Sequence, residues 1–192
     1  IGKNNVIGIG NRLPWHYKED MQYFKETTLH KTVIMGEATF KSILSYINKP
    51  LPKRTSVIAT LSDYTYPGVE TTNDVISFLK NYPRDKEIFI IGGKIIYDLT
   101  LDIADRLYIT HVNKEYEGDV FFREIDYSKY NKIKEWGSNM KDDELTSILS
   151  LHPRIEKLAI KDAGLNVSDI DDCIPISMLA HKSKNSSLGV HS

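Results

Sequence analysis

Lys31–Tyr46 reads K-T-V-I-M-G-E-A-T-F-K-S-I-L-S-Y. Val33, Ile34 and Met35 form a short apolar run that ends at Gly36, the pattern of a buried strand. From Glu37 the period changes, and Phe40, Ile43 and Leu44 share one face of a helix. After the proline-punctuated turn Lys49–Arg54 (K-P-L-P-K-R), Thr55–Thr60 (T-S-V-I-A-T) supplies a second strand. Downstream the alternation repeats. Leu61–Val69 is a loop, and Asn73 or Thr72 can cap a helix over Asp74–Tyr82. Glu87–Ile91 is a third strand that passes through Gly92-Gly93 into a helix from Lys94 to about Leu101. Arg106–Val112 is a fourth strand. This alternation predicts an α/β fold of three layers, with a mixed, mostly parallel central sheet flanked by helices. Beyond the turn at Glu117-Gly118-Asp119, Val120–Phe122 and Lys132–Trp136 read as later, antiparallel strands.

Upstream, Leu13–Leu29 (L-P-W-H-Y-K-E-D-M-Q-Y-F-K-E-T-T-L) ends a loop at Pro14-Trp15 and predicts a helix from about Tyr17 to Thr28. Met21, Phe24 and Thr28 make its apolar side, and Asp20, four residues before Phe24, projects from that side. A carboxylate facing a core needs a partner or a use, because burial penalises its charge. Asp20 is therefore either a chemical group or a first-turn carboxylate serving its own helix. Before this helix, Gly2–Arg12 reads as a mobile glycine- and asparagine-rich loop around Val6-Ile7.

Two strand-to-helix junctions carry glycine. Gly92-Gly93 at a helix start either lets a phosphate approach free backbone amides or simply makes a tight turn. Gly36-Glu37-Ala38-Thr39 is a second such junction, where a plain helix start is the better local reading. Arg54 reads locally as a solvated charge and Trp15 as a core anchor.

Composition excludes several classes. The 192 residues carry 25 basic and 26 acidic side chains, so no bulk attraction to nucleic acid or to a membrane surface is expected. Cys173 is the only cysteine, which rules out an internal disulfide and suits a reducing, cytoplasmic compartment. The six histidines show no metal-ligand spacing, so no metal site is expected. The chain enters at Ile1-Gly2-Lys3-Asn4-Asn5 and reads as the interior of a longer reading frame. After about Thr146 the character changes, with a short amphipathic helix over Ile155–Ala163 and a polar end. Residues 1–146 are read as one domain and 147–192 as an unassigned, loosely structured tail.

Taken together, V-I-G-I-G-N-R-L-P-W, Asp20 with Phe24, T-V-I-M-G-x-x-T-F, P-L-P-x-R, I-I-G-G-x-x-I-Y, Y-I-T-H and E-G-D form an ordered series that resembles the dihydrofolate reductase family over about residues 1–146. The resemblance implies reduction of 7,8-dihydrofolate with NADPH by a monomer that antifolates inhibit. It also implies site roles. Asp20 is the single acid of the pterin pocket, steadied by Thr110, with Leu13 beside it and Trp15 holding an ordered water. Phe24, Ile43, Leu51 and Ile91 line the folate rings. Arg54 grips the folate α-carboxylate as a fork, with Lys25 and Lys49 adding charge. Val6, Ile7, Gly8 and Asn11 belong to a loop that closes over nicotinamide and is held by Asp119. The rest of the cofactor falls to Gly36, Glu37, Ala38, Thr39, Thr60, Leu61, Ile91, Gly92, Gly93, Lys94, Ile95, Ile96 and Tyr97, and a cis peptide is expected between Gly92 and Gly93.

The sequence departs from the family pattern at three places. The family's first, central strand is missing, which would leave two neighbours with unpaired edges. A basic residue is usual where this chain has Glu37, and often at Ala38, while Leu61 replaces a usual hydroxyl. A glutamate there repels a 2′-phosphate and suits a ribose 2′-hydroxyl, so NADH use is expected alongside NADPH. Thr146–Leu151 is a poor match for the family's last strand. Two other functions compete with this reading: a reductase of riboflavin synthesis on the same fold, and an inactive fragment that retains ligand binding.

Overall fold

In the computed structural model, residues 1–137, 144–150 and 178–182 are described, the last two segments and 136–137 by their backbone alone. The Ile155–Ala163 helix and Cys173 lie outside the described residues. The chain order is β1 (Val6–Gly8), α1 (Lys18–Thr28), β2 (Thr32–Gly36), α2 (Glu37–Ile47), β3 (Thr55–Ala59), β4 (Glu70–Thr72), α3 (Val75–Asn81), β5 (Glu87–Ile90), α4 (Lys94–Thr100), β6 (Arg106–Val112), β7 (Val120–Phe121), β8 (Asn131–Gly137), β9 (Glu144–Ser150) and β10 (Met178–Lys182).

Strand alternation builds the three layers. Val33 and Met35 of β2, Ile58 of β3 and Phe89 of β5 pack in one cluster with Phe24 of α1 and Phe40 and Ile43 of α2. Their neighbours Ile34, Val57, Ile88 and Ile90 pack in the other, with Val75 and Leu79 of α3 and Ile96 and Tyr97 of α4. Each strand is thus apolar on both faces, as a sheet covered on both sides requires. Phe40 and Phe89 are 0% and 1% exposed, and truncating either to alanine would cost about 3–5 kcal/mol.

Among the described residues the large sheet runs β4-β3-β2-β5-β10-β6-β9-β8. Its β4, β3, β2 and β5 pair in parallel, and β9 and β10 run against their neighbours. Parallel order keeps the C-terminal ends of β2 and β5 side by side, so the Gly36 and Gly92-Gly93 junctions open at one edge of the sheet.

Four sequence expectations are corrected. Val6-Ile7 is not loop: β1 pairs antiparallel with β7, Val6 opposite Phe121. The cap of α3 is Asp74, whose carboxylate accepts from the Ser77 amide at 2.9 Å, rather than Asn73 or Thr72. The edges of β5 and β6 are not left open either, because β10 lies between them, Leu179 opposite both Ile90 and Leu107. Higher on β6, Ile1 takes the Val112 amide at 2.9 Å and Gly2 bridges Val112 in parallel. The last strand also differs, since β9 pairs along the whole of β6, Arg106 to Val112, and crosses the boundary drawn at Thr146.

Candidate active site

The first turn of α1 places Asp20 inward. It is 6% exposed, beside Met21 and Phe24, and the Thr110 hydroxyl on β6 donates to its Oδ1 at 2.5 Å. Burial raises the Asp20 pKa, and the Thr110 hydrogen bond opposes that rise only in part. The group is a carboxyl biased toward holding a proton.

Asp20 and Thr110 lie in the wall of a cleft of about 1080 Å³. The cleft also takes in Ile7, Gly8, Asn11, Leu13, Trp15 and Ile43, both glycine junctions with Glu37, Ala38, Thr39 and Lys94 to Tyr97, and Thr60, Leu61 and Ile91. One continuous space, lined from Ile1 to Val120, therefore collects residues that lie up to 119 positions apart in the chain. Trp15 reaches it from the irregular stretch before α1, and its indole nitrogen is buried with no hydrogen-bond partner. A buried N–H of this kind is available to an ordered water.

The glycine junctions are packed against each other. Gly92–Gly93 is a cis peptide, and Gly36 N donates to Gly92 O at 2.7 Å. A Cβ on Gly93 would stand 3.1 Å from the Thr39 hydroxyl, and one on Gly36 would stand 3.2 Å from Ile96. Gly92 has φ +109 and the Tyr97 ring 3.1 Å from where a Cβ would be. Glycine at these positions is what lets the two junctions pack this closely against Thr39, Ile96 and Tyr97. The cradle, a strand end opening into a helix start, fits the pyrophosphate of a dinucleotide.

At the far end of the cleft stands Glu37. Its carboxylate accepts from Lys41 Nζ at 2.5 Å, Thr60 Oγ1 at 2.5 Å and Ser62 Oγ at 2.7 Å. These donors, Lys41 first, lower its pKa to about 2. Leu61 between them is 92% exposed. Lys94 is tied to Asp98 at 2.7 Å on its own helix, so it is not held toward the cleft.

The loop before α1 is latched shut. Gly10 N donates to the Asp119 carboxylate at 3.1 Å, and Asp119 N donates to Gly8 O at 3.1 Å. Gly118 is required at this approach, since a Cβ there would lie 2.6 Å from Gly8 O.

Other expected residues do not line the cleft. Val6, the first residue of β1, is fully buried. Phe24 and Leu51 sit in the core cluster that Ile43 shares with the cleft wall. Arg54 donates to Pro52 O at 2.6 Å, Lys25 O at 3.3 Å and Thr28 Oγ1 at 3.2 Å, which fixes its guanidinium at the end of α1. Lys25 is half-buried and Lys49 exposed. Sequence reasoning missed Ser62 and Tyr116. Ser62 carries no local signal because its partner Glu37 is 25 positions away. Tyr116 lies in the E-Y-E-G-D turn, where only the glycine and the aspartate stood out.

A family model described as dihydrofolate reductase matches residues 1–151. The chain is 39% identical over 136 residues to the dihydrofolate reductase of Buchnera aphidicola, covering 71% of this chain and 80% of that one. It is 39% identical over 140 residues to that of Haemophilus influenzae, covering 69% and 84%. A solved dihydrofolate reductase from Enterococcus faecalis, complexed with NADP(H) and RAB-propyl, superposes with a TM-score of 0.69 at 30% identity, covering 78% of this chain and 90% of that one. These relatives do not favour the riboflavin-synthesis alternative. The chain belongs to the dihydrofolate reductase family, oxidoreductases that reduce dihydrofolate to tetrahydrofolate with a nicotinamide cofactor.

Proposed function

We propose that this cleft reduces 7,8-dihydrofolate, with Asp20 and Thr110 at the pterin end and the glycine junctions and Glu37 at the cofactor end. The observation that carries the reading is Asp20: a buried carboxyl held by one hydroxyl, in the same cleft as a glycine-walled cradle. A reduced nicotinamide, when bound, supplies the hydride that the pterin C6 accepts. Asp20 binds the pterin 2-amino group and N3 and holds it in the form that takes a proton at N5. The buried, unpartnered Trp15 indole N–H would hold a water that relays that proton. The latched loop of Ile7 to Leu13 excludes bulk water from the two stacked rings. Ile43 flanks the benzoyl group from the cleft wall, with Phe24 and Leu51 packed behind it in the same cluster, and Arg54, already fixed by its acceptors, grips the α-carboxylate as a fork.

Glu37 supports a second statement about the cofactor. A 2′-phosphate would meet a carboxylate that stays ionised down to about pH 2, whereas a 2′-hydroxyl can donate to it. NADPH is the cofactor by family, and Glu37 narrows the margin over NADH. The active unit is proposed as a monomer acting in the cytoplasm, with antifolates as competitors for the folate end. Among the described residues no helix is long and apolar enough to cross a membrane. The test is oxidation of NADPH that depends on dihydrofolate and is blocked by methotrexate. Turnover lost in Asp20→Asn supports the reading, and no turnover by the unaltered chain with either cofactor overturns it.

A further inference from the structure

Tyr116 makes two side-chain contacts with the stretch before α1, one of them to Trp15 in the cleft wall. Its ring lies 5.1 Å from the Trp15 ring, tilted by 54°. Its hydroxyl lies 2.9 Å from that of Tyr17. Its own backbone is fixed, because Asn4 Nδ2 donates to Tyr116 O at 2.8 Å. Neither Asn4 nor Tyr116 is part of the cleft lining.

What it touches matters. Leu13 to His16 belongs to no helix or strand. Trp15, with its buried and unpartnered indole N–H, depends on packing for its orientation. Tyr17 is the N-cap of α1 and makes no side-chain cap bond. Its carbonyl accepts the Met21 amide at 3.1 Å, and Asp20 is the third residue of that helix. One tyrosine thus bears on both the tryptophan and the turn that aims the acid. The neighbouring Asp119 latch holds only Gly8 and Gly10, at the other end of the same loop.

We propose that Tyr116 is a positioning residue for proton delivery: the ring contact with Trp15 and the hydroxyl pair with Tyr17 set where the indole N–H and the first turn of α1 stand. The proposal rests on the folate-reducing reading, and it makes a claim that reading does not need. Tyr116 lines no part of the cleft itself, so it acts on turnover and not on substrate affinity.

The test uses the full chain. Tyr116→Ala removes both contacts and should lower kcat at neutral pH about tenfold while leaving KM for dihydrofolate within about twofold. Tyr116→Phe and Tyr17→Phe each delete the same hydroxyl pair. Each should lower kcat about two- to threefold, and the double variant should lose no more than either alone. A second readout is independent of turnover. In a Trp136→Phe background, acrylamide quenching of Trp15 fluorescence should rise in Tyr116→Ala and stay unchanged in Tyr116→Phe. Should Tyr116→Ala fail to fold, the two phenylalanine variants and their double decide the matter. Equal kcat in all variants, multiplicative losses in the double, or a KM rise matching the kcat loss overturns the proposal. If the unaltered chain turns over no folate, the functional reading fails instead, and the quenching result still judges the clamp.

Discussion

Asp20 and Glu37 stand at opposite ends of one cleft and differ in what surrounds them. Asp20 has traded water for a core and a single hydroxyl, and burial raises its pKa. Glu37 keeps access to solvent and gathers an ammonium and two hydroxyls, which lower its pKa to about 2. The same functional group is thus tuned toward holding a proton where chemistry occurs, and toward permanent charge where only recognition is needed. The number of donors and the loss of water, rather than the residue type, assign the two roles.

The comparison breaks most easily at Asp20. Asp20→Asn keeps the shape and removes the acid, and should lower kcat at neutral pH by about 10²–10⁴-fold, the usual worth of positioned acid–base help. The deficit should shrink as pH falls, because solvent then supplies the proton. Steady-state rates across pH check both statements, and a loss under threefold would place the acid elsewhere.

Glu37→Gln sharpens the other end. Removing the charge should raise the NADPH-to-NADH ratio of kcat/KM roughly tenfold, and Glu37→Arg should raise it further. Binding of 2′,5′-ADP against 5′-AMP by calorimetry reads the same change without turnover. A ratio that does not move would mean that Lys41, Thr60 and Ser62 already neutralise the carboxylate toward a phosphate.

Stability gives a third contrast of opposite sign. A carboxyl whose folded pKa is raised helps folding below its ordinary pKa of 3.8 and loses that help as pH climbs through the folded value. Asp20→Asn should therefore raise Tm at neutral pH, with the gain fading on acidification. Glu37 has the reverse linkage: its contribution is present above its ordinary 4.5 and is lost as pH falls toward about 2. Salt should weaken it, since the group is open to solvent. Thermal melts of both variants at two pH values test the pair.

The smallest effect is expected at Lys94. Its exposed pair with Asp98 is a surface ion pair worth about 0–1 kcal/mol. Lys94→Ala should change kcat/KM for either cofactor by less than about threefold.

Much of this contrast was readable in the sequence. Helical spacing alone put Asp20 on the side of Met21 and Phe24, because a 3.6-residue period is a local property. The strand-then-helix change of period at Gly36 and at Gly92-Gly93 was equally local, and it fixed the α/β class and the two junctions. The environment of Glu37 was not readable, because Thr60 and Ser62 reach it from another strand end, and nothing near Glu37 signals them. The short strands β1 and β4 escaped for the same reason. Three residues give too little pattern, and β1 is defined by a partner more than a hundred positions away. The entry of β10 between β5 and β6 is likewise a matter of long-range pairing.

The most direct measurement is the pH dependence of the hydride-transfer step in a single turnover, for the unaltered chain and for Asp20→Asn. If Asp20 governs proton delivery to the pterin, the unaltered chain should show a rate that falls with a one-proton slope above a pKa higher than an ordinary carboxyl's. Asp20→Asn should lack that pKa and be slower throughout the neutral range. Superimposable profiles for the two proteins would contradict the account.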